Sequence, residues 1–266
     1  MSVICLQRGA DRETFVKKAF EQFDIQGKAE GKKVLVKPNI VSHEPYPTTT
    51  HPAVLEACLE LLLGSVDSIL VADGPAFDAM DHKYIIEEHP LQKSCQKFGI
   101  EMIDLLSRGT RRLGTRTMEL EVSVLASECD FIISLPVLKS HGICGMTGAL
   151  KNVLGFLSPD EKRHLHYGGD VHRIIVELNE VIVPDMHIMD AVYTMVNTNE
   201  VRHGGKPREL GYMLAGTDPV SLDVRGLELL GEVEPKLKGK HIDDILHLRH
   251  AVQMTGWDGG YEVIKW

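Results

Sequence analysis

Seven apolar, β-branched runs punctuate this chain, and most of them are continuous rather than alternating. They lie at 3–7, 34–40, 68–74, 101–106, 131–138, 186–192 and 212–218. A strand that is apolar on both sides has to be covered on both sides, which is the situation of a parallel sheet between layers of helix. Segments with helical signals separate the runs. Residues 11–23 place acids before lysines, as a helix dipole favours. Thr50-His51-Pro52 opens a segment that Gly64 closes, with proline at a first-turn position. Residues 171–181 and 219–230 also have helical character. This alternation predicts an α/β fold with a mostly parallel mixed sheet and helices on both faces. The segment at 119–124 alternates more cleanly and is expected at a sheet edge. Residues 1–266 are read as a single α/β domain, with a basic, glycine-containing stretch near 107–117 as the place where two lobes would divide.

Charge narrows the partners. A net charge of −9 and a pI of about 5.8 argue against sequence-independent nucleic-acid binding. A local basic site in such a chain would instead draw small anions. The first fifteen residues lack a basic segment followed by a long apolar run, so neither a signal peptide nor a membrane span of ~20 residues is expected. Cys5, Cys58, Cys95, Cys129 and Cys144 are scattered, odd in number and without a C-x-x-C spacing. A disulfide framework or an iron–sulfur cluster held by this chain is therefore not expected, and a reducing, cytoplasmic setting is. A homo-oligomer is compatible with all of this.

Ligands of open α/β sheets bind beyond the carboxyl ends of the strands, so the residues that follow each run matter most. They are Lys37-Pro38-Asn39, Asp73-Gly74-Pro75, Lys139 with His141, Asp190, and Gly216-Thr217-Asp218. Each has a plainer reading: a solvated strand end, an ordinary turn, a helix cap. Parallel strands would bring all five to one rim. The segment SLPVLKSHGICGMTGALKNVLGF, residues 134–156, is the densest. Glycines 142, 145 and 148 let backbone approach a ligand and offer it N–H groups, while Lys139 and Lys151 can neutralise a carboxylate or phosphate. His141 can ligate a metal or move a proton near neutral pH. Cys144 is read as structural before functional. His164, His166 and His172 cluster in RHLHYGGDVHR, where His166, ahead of a Gly-Gly turn, is the stronger candidate ligand. His247 and His250 read as surface or interface residues. Arg202, His203 and Arg208 sit in or beside a basic glycine loop able to cradle an anion.

These motifs resemble the family known as domain of unknown function 362. The similar features are the Lys37-Pro38-Asn39 step, Thr50-His51-Pro52, Lys139-Ser140-His141 and Thr147-Gly148-Ala149-Leu150-Lys151-Asn152-Val153-Leu154-Gly155. Asp190, the Gly204-Gly205-Lys206-Pro207-Arg208 loop and Asp218-Pro219-Val220-Ser221-Leu222-Asp223 complete them, and together they run from about residue 34 to 231. Many family members add a ferredoxin-like cysteine domain, which this sequence lacks, so the resemblance implies no electron-transfer role here. A looser similarity, Thr147-Gly148-Ala149-Leu150-Lys151, is to nickel-pincer lactate racemases, whose site joins histidines to a Gly-Gly-x-Lys-type loop.

The first functional expectation is an enzyme acting on a small anionic substrate by acid/base or metal-assisted chemistry. Its catalytic candidates are His141, Lys151, Lys139 and His166; Lys37, Asn39, Asn152, Gly148 and Arg208 would bind substrate. A divalent transition metal, if used, would take His141, His166, Asp73 and Asp190. The alternative is a non-catalytic carrier of a cofactor or metal cluster.

Overall fold

Eight strands of the computed structural model hydrogen-bond into one sheet. The structure describes residues 1–79 and 82–266; the side chains of His82, Lys83, His166 and Tyr167 also fall outside the description. Among the described residues the strands are β1 (Ser2–Arg8), β2 (Lys33–Lys37), β3 (Ser68–Asp73), β4 (Met102–Asp104), β5 (Thr110–Gly114), β6 (Glu119–Ser123), β7 (Phe131–Ser134), β8 (Lys139–His141), β9 (Gly145–Thr147), β10 (Met186–Val196), β11 (Lys206–Gly216) and β12 (Tyr261–Lys265). The large sheet has the order β12-β1-β11-β10-β7-β2-β3-β4. β11 runs against both of its neighbours, and every other pairing in that sheet is parallel. The fold is thus α/β with a mostly parallel mixed sheet.

Alternate side chains explain why the runs are continuous. Val34 and Val36 of β2 join Phe15, Val16, Leu55 and Leu59 on one face, under the helices Arg12–Phe23 and Pro52–Leu62. Leu35, between them, joins Phe156, Ile174 and Leu178 on the other face, under the helix Val171–Val181. β7 divides the same way, Phe131 and Ile133 to one side and Ile132 to the other. Successive strand residues point to opposite faces, so a sheet covered twice has no room for a polar register. Among the described residues no helix is long and apolar enough to cross a membrane.

Three local expectations change. Residues 119–124 do not edge the main sheet; β6 pairs with β5 in a separate two-stranded hairpin, whose first strand falls in the stretch read as a lobe boundary. The run at 131–138 stops as a strand at Ser134, because Pro136 cannot continue a ladder, and Lys139 restarts in a small hairpin of β8 with β9. His247 is buried rather than superficial: it lies on the inward face of the helix Leu246–Thr255, its ring 6.2 Å from that of His172. Burial pulls it down to about 3.

The reversed direction of β11 matters most. Gly216 pairs with Ile4 and His187, near the starts of β1 and β10. Asp218 therefore leaves the expected rim and sits at the opposite edge of the sheet, where it caps the helix Pro219–Leu230 by accepting from Val220 N (3.0 Å) and Ser221 N (3.3 Å). Asp218→Ala is expected to lower stability by about 1 kcal/mol in urea denaturation.

Candidate functional site

β2 and β3 end side by side, and that register creates the floor of the site. Lys37 closes β2 and Asp73 closes β3. Lys37 Nζ lies 2.5 Å from Asp73 Oδ1 and also donates to Pro38 O (3.2 Å) and Asn152 Oδ1 (3.5 Å). Asp73 accepts further from Ile40 N (2.5 Å) and Gly74 N (2.8 Å). Both side chains are buried. Burial pulls Lys37 below the usual lysine range and pushes Asp73 above the usual carboxylate range, while their ion pair opposes both shifts. The turn at 152–156 crosses so closely that a Cβ on Gly155 would stand 2.3 Å from Asp73 Oδ1 and 2.9 Å from Lys37 Nζ. Glycine is required there for space, not for backbone angle.

Above this floor is a chamber of about 100 Å³. Four lysines line it, Lys37, Lys139, Lys151 and Lys162, against the single described carboxylate, Asp73. Lys139 is wholly buried and donates to Asn39 Oδ1 (2.6 Å) and Thr48 O (2.5 Å). Burial, reinforced by the Lys151 charge, pulls it down to about 7 against the opposing fields of Glu200, Asp73 and Glu44. Lys162 donates to Gly74 O and Pro75 O, both at 3.0 Å, and burial pulls it down to about 8. Lys162 is not among the sequence candidates, which in this neighbourhood are the histidines at 164, 166 and 172. Its segment forms the helix Pro159–Tyr167, and the signal was present: Ser158 caps it and accepts from Glu161 N, with Pro159 in the first turn.

A second chamber of about 330 Å³ adjoins the first, with His141, Cys144, Asn199, Glu200 and His203 in its wall. Lys151 lines both chambers. It is only part-buried, and its ammonium has no hydrogen bond or ion pair with any described residue. His141 Nδ1 accepts from Ile143 N (3.2 Å) and Cys144 N (3.1 Å), which places the proton of the neutral ring on Nε2. Asp78, Glu200 and His203 bring ligand atoms within 4.8 Å of one another. Arg202 already occupies that group, 2.9 Å from Asp78 Oδ1 and 2.7 Å from Glu200 Oε2. A cation entering there would displace a guanidinium.

The remaining candidates divide. Asn39 and Asn152 stand in the inner wall, the latter donating to Ser134 Oγ at 2.9 Å. Gly148 lines neither chamber. The next two N–H groups, of Ala149 and Leu150, are taken by the buried Asp223 at 2.6 and 3.0 Å. That contact joins the 147–155 and 218–223 motifs in space. Asp190 lies in neither chamber wall; it is bound to Arg12 at 2.6 Å and to Tyr46 Oη at 2.8 Å. Arg208 is exposed on β11 and lines neither chamber. The side chain of His166 lies outside the described residues. Among those described, His141, Asp73 and Asp190 do not converge into a metal-ligand group.

Comparison with known proteins adds three findings. A family model described as "Domain of unknown function (DUF362)" matches residues 34–228. A thylakoid-associated protein of Synechocystis sp. is 28% identical over 200 residues, which are 73% of this chain and 61% of that protein. This chain thus spans less than two thirds of that relative's length. The lactate racemase apoprotein from Thermoanaerobacterium thermosaccharolyticum superposes with a TM-score of 0.57 at 18% identity, over 86% of this chain and 57% of that one. At that identity the likeness concerns the fold.

Proposed function

The chain belongs to the DUF362 family, and we propose that its two-chambered cleft binds a small organic anion and acts on it as an enzyme. The observation that carries this reading is the Lys151 ammonium, which no described residue neutralises, in a chamber whose single described carboxylate, Asp73, is already paired with Lys37. A part-buried cation without a partner costs desolvation that a carboxylate or phosphate would offset. Lys151 faces both chambers, so an anionic group held there would leave the rest of the ligand beside His141. His141, whose Nδ1 already accepts two backbone N–H groups, would then act on that ligand through Nε2–H, hydrogen-bonding to and polarising a carbonyl or carboxylate oxygen. The fold neighbour's name carries lactate, itself a small organic anion, which is in keeping with this ligand class. Five free thiols fit the cytoplasmic setting proposed for the reaction.

A carrier reading draws on the group of Asp78, Glu200 and His203 instead, and it is the weaker one because Arg202 fills that group.

Thermal-shift measurements with acetate, lactate and inorganic phosphate test the proposal. A ligand at 100 times its dissociation constant should stabilise the wild type by about 2.7 kcal/mol. Lys151→Met should abolish that gain with little change in the unliganded melting temperature, since Lys151 holds nothing together. Equal stabilisation of wild type and Lys151→Met would place the anion elsewhere.

A further inference from the structure

We propose that Lys139 is an imine-forming nucleophile and that the ligand of the cleft is a small organic anion bearing an aldehyde or ketone carbonyl. This rests on the anion-binding reading above and specifies its substrate class. It begins with a count of acceptors around each buried lysine.

Lys37 Nζ meets three acceptors, one of them the Asp73 carboxylate. An ammonium has three N–H groups, so Lys37 is fully used as a cation. Lys139 Nζ meets two acceptors, Asn39 Oδ1 and Thr48 O, both uncharged. No third acceptor and no carboxylate touches it among the described residues. A neutral amine has two N–H groups and one lone pair. Two acceptors take both hydrogens, and the lone pair is left for the chamber that Lys139 lines. Desolvation beside a second cation is a physical route to a nucleophilic lysine, and both conditions hold, since Lys139 is wholly buried and Lys151 lines the same chamber. The downward shift to about 7 agrees.

The chemistry closes without a further reagent. The Lys139 lone pair attacks the carbonyl carbon, and the carbonyl π pair moves to oxygen, which gains a proton. The resulting carbinolamine loses its hydroxyl as water while nitrogen gives up its proton, so that amine and carbonyl become C=N and H₂O. The imine nitrogen then takes up a proton from water, and the iminium accepts the electron pair of a C–H bond on the adjacent carbon as that proton is lost to water, leaving an enamine. Lys151 fits the partner role, holding the anionic group of the same substrate. The part of that substrate that reaches Lys139 has to fit the inner chamber of about 100 Å³, and the remainder can extend past Lys151 into the outer one.

Borohydride trapping decides the matter. Protein is incubated with pyruvate or glyoxylate, reduced with sodium borohydride, and examined by intact mass and peptide mapping. The expected result is a single reduced adduct on Lys139, present in Asp218→Ala, which lies at the far end of the sheet, and absent in Lys139→Met. Its yield should rise with pH through about 7 and then level off, as a buried amine requires and a surface lysine does not. Lys139→Met should still be stabilised by inorganic phosphate. Adducts on Lys162 or on surface lysines alone, or no adduct with either probe while they stabilise the fold, would overturn the assignment and leave the anion site standing. If no anion stabilises the wild type, the anion-binding reading itself fails and takes this one with it. Should Lys139→Met not fold, the wild-type peptide map and its pH dependence decide alone.

Discussion

Asp73→Ala is expected to destabilise the fold by about 3–5 kcal/mol in equilibrium denaturation, because it strands the Lys37 ammonium in a buried site. Two backbone amides, of Ile40 and Gly74, lose their acceptor in the same step. Combining it with Lys37→Met should recover much of the loss, since the double variant removes the buried charge along with its partner. A double-mutant cycle measures the coupling, and a near-zero value would mean that the two groups do not pair. The pair is poor evidence for stability in its own right, because burying two charges costs nearly what their attraction returns. Its role is better sought in position. It holds the ends of β2 and β3 together, and Gly155 closes over it with no space for a methyl group. Gly155→Ala should therefore harm the same floor without touching any charge.

How much of this the sequence carried depends on which physics was involved. Strands covered on both faces announce themselves through composition, so β2, β3, β7 and β10 and the groups at or beyond their ends could be placed in advance. The direction of a strand is not written in its residues. β11 has the same apolar look as its neighbours, yet it runs the other way, and Asp218 consequently moved to the far edge. Burial of a polar residue is equally silent. Lys162 looked like one more charge in a histidine-rich stretch, and only the capping pattern from Ser158 to Glu161 could have set it on a helix facing the chamber. Asp190 failed in a different way. Its position beside the rim was as expected, but Arg12, from the first helix, had already claimed it. A contact across 178 residues leaves no local trace.

Asp223 makes the second large prediction, and it connects stability to the site. Its carboxylate accepts Ala149 N and Leu150 N, the first turn of the segment that carries Lys151 and Asn152. Asp223→Ala should leave both buried amides without an acceptor, at roughly 1–3 kcal/mol each. Asp223→Asn should cost less, since it keeps one acceptor oxygen. The pH dependence has a definite sign. Burial, aided by the Asp218 charge, pushes the Asp223 carboxyl up to about 7 against the two amides. Below pH ~4 both folded and unfolded chains hold the proton, so its contribution is fully present. Between pH ~4 and about 7 the unfolded chain has released it and the folded chain has not, so stability falls as pH rises, by at most about 1.4 kcal/mol per unit. Above that both are ionised and the slope vanishes. The stability of wild type minus that of Asp223→Asn, from urea melts at successive pH values, isolates this contribution and should decline across that window. A flat difference would mean that the two amides hold the carboxylate ionised throughout. In either case the anion contact proposed at Lys151 would be only as firm as this buried acid, because Asp223 binds the turn on which Lys151 is mounted.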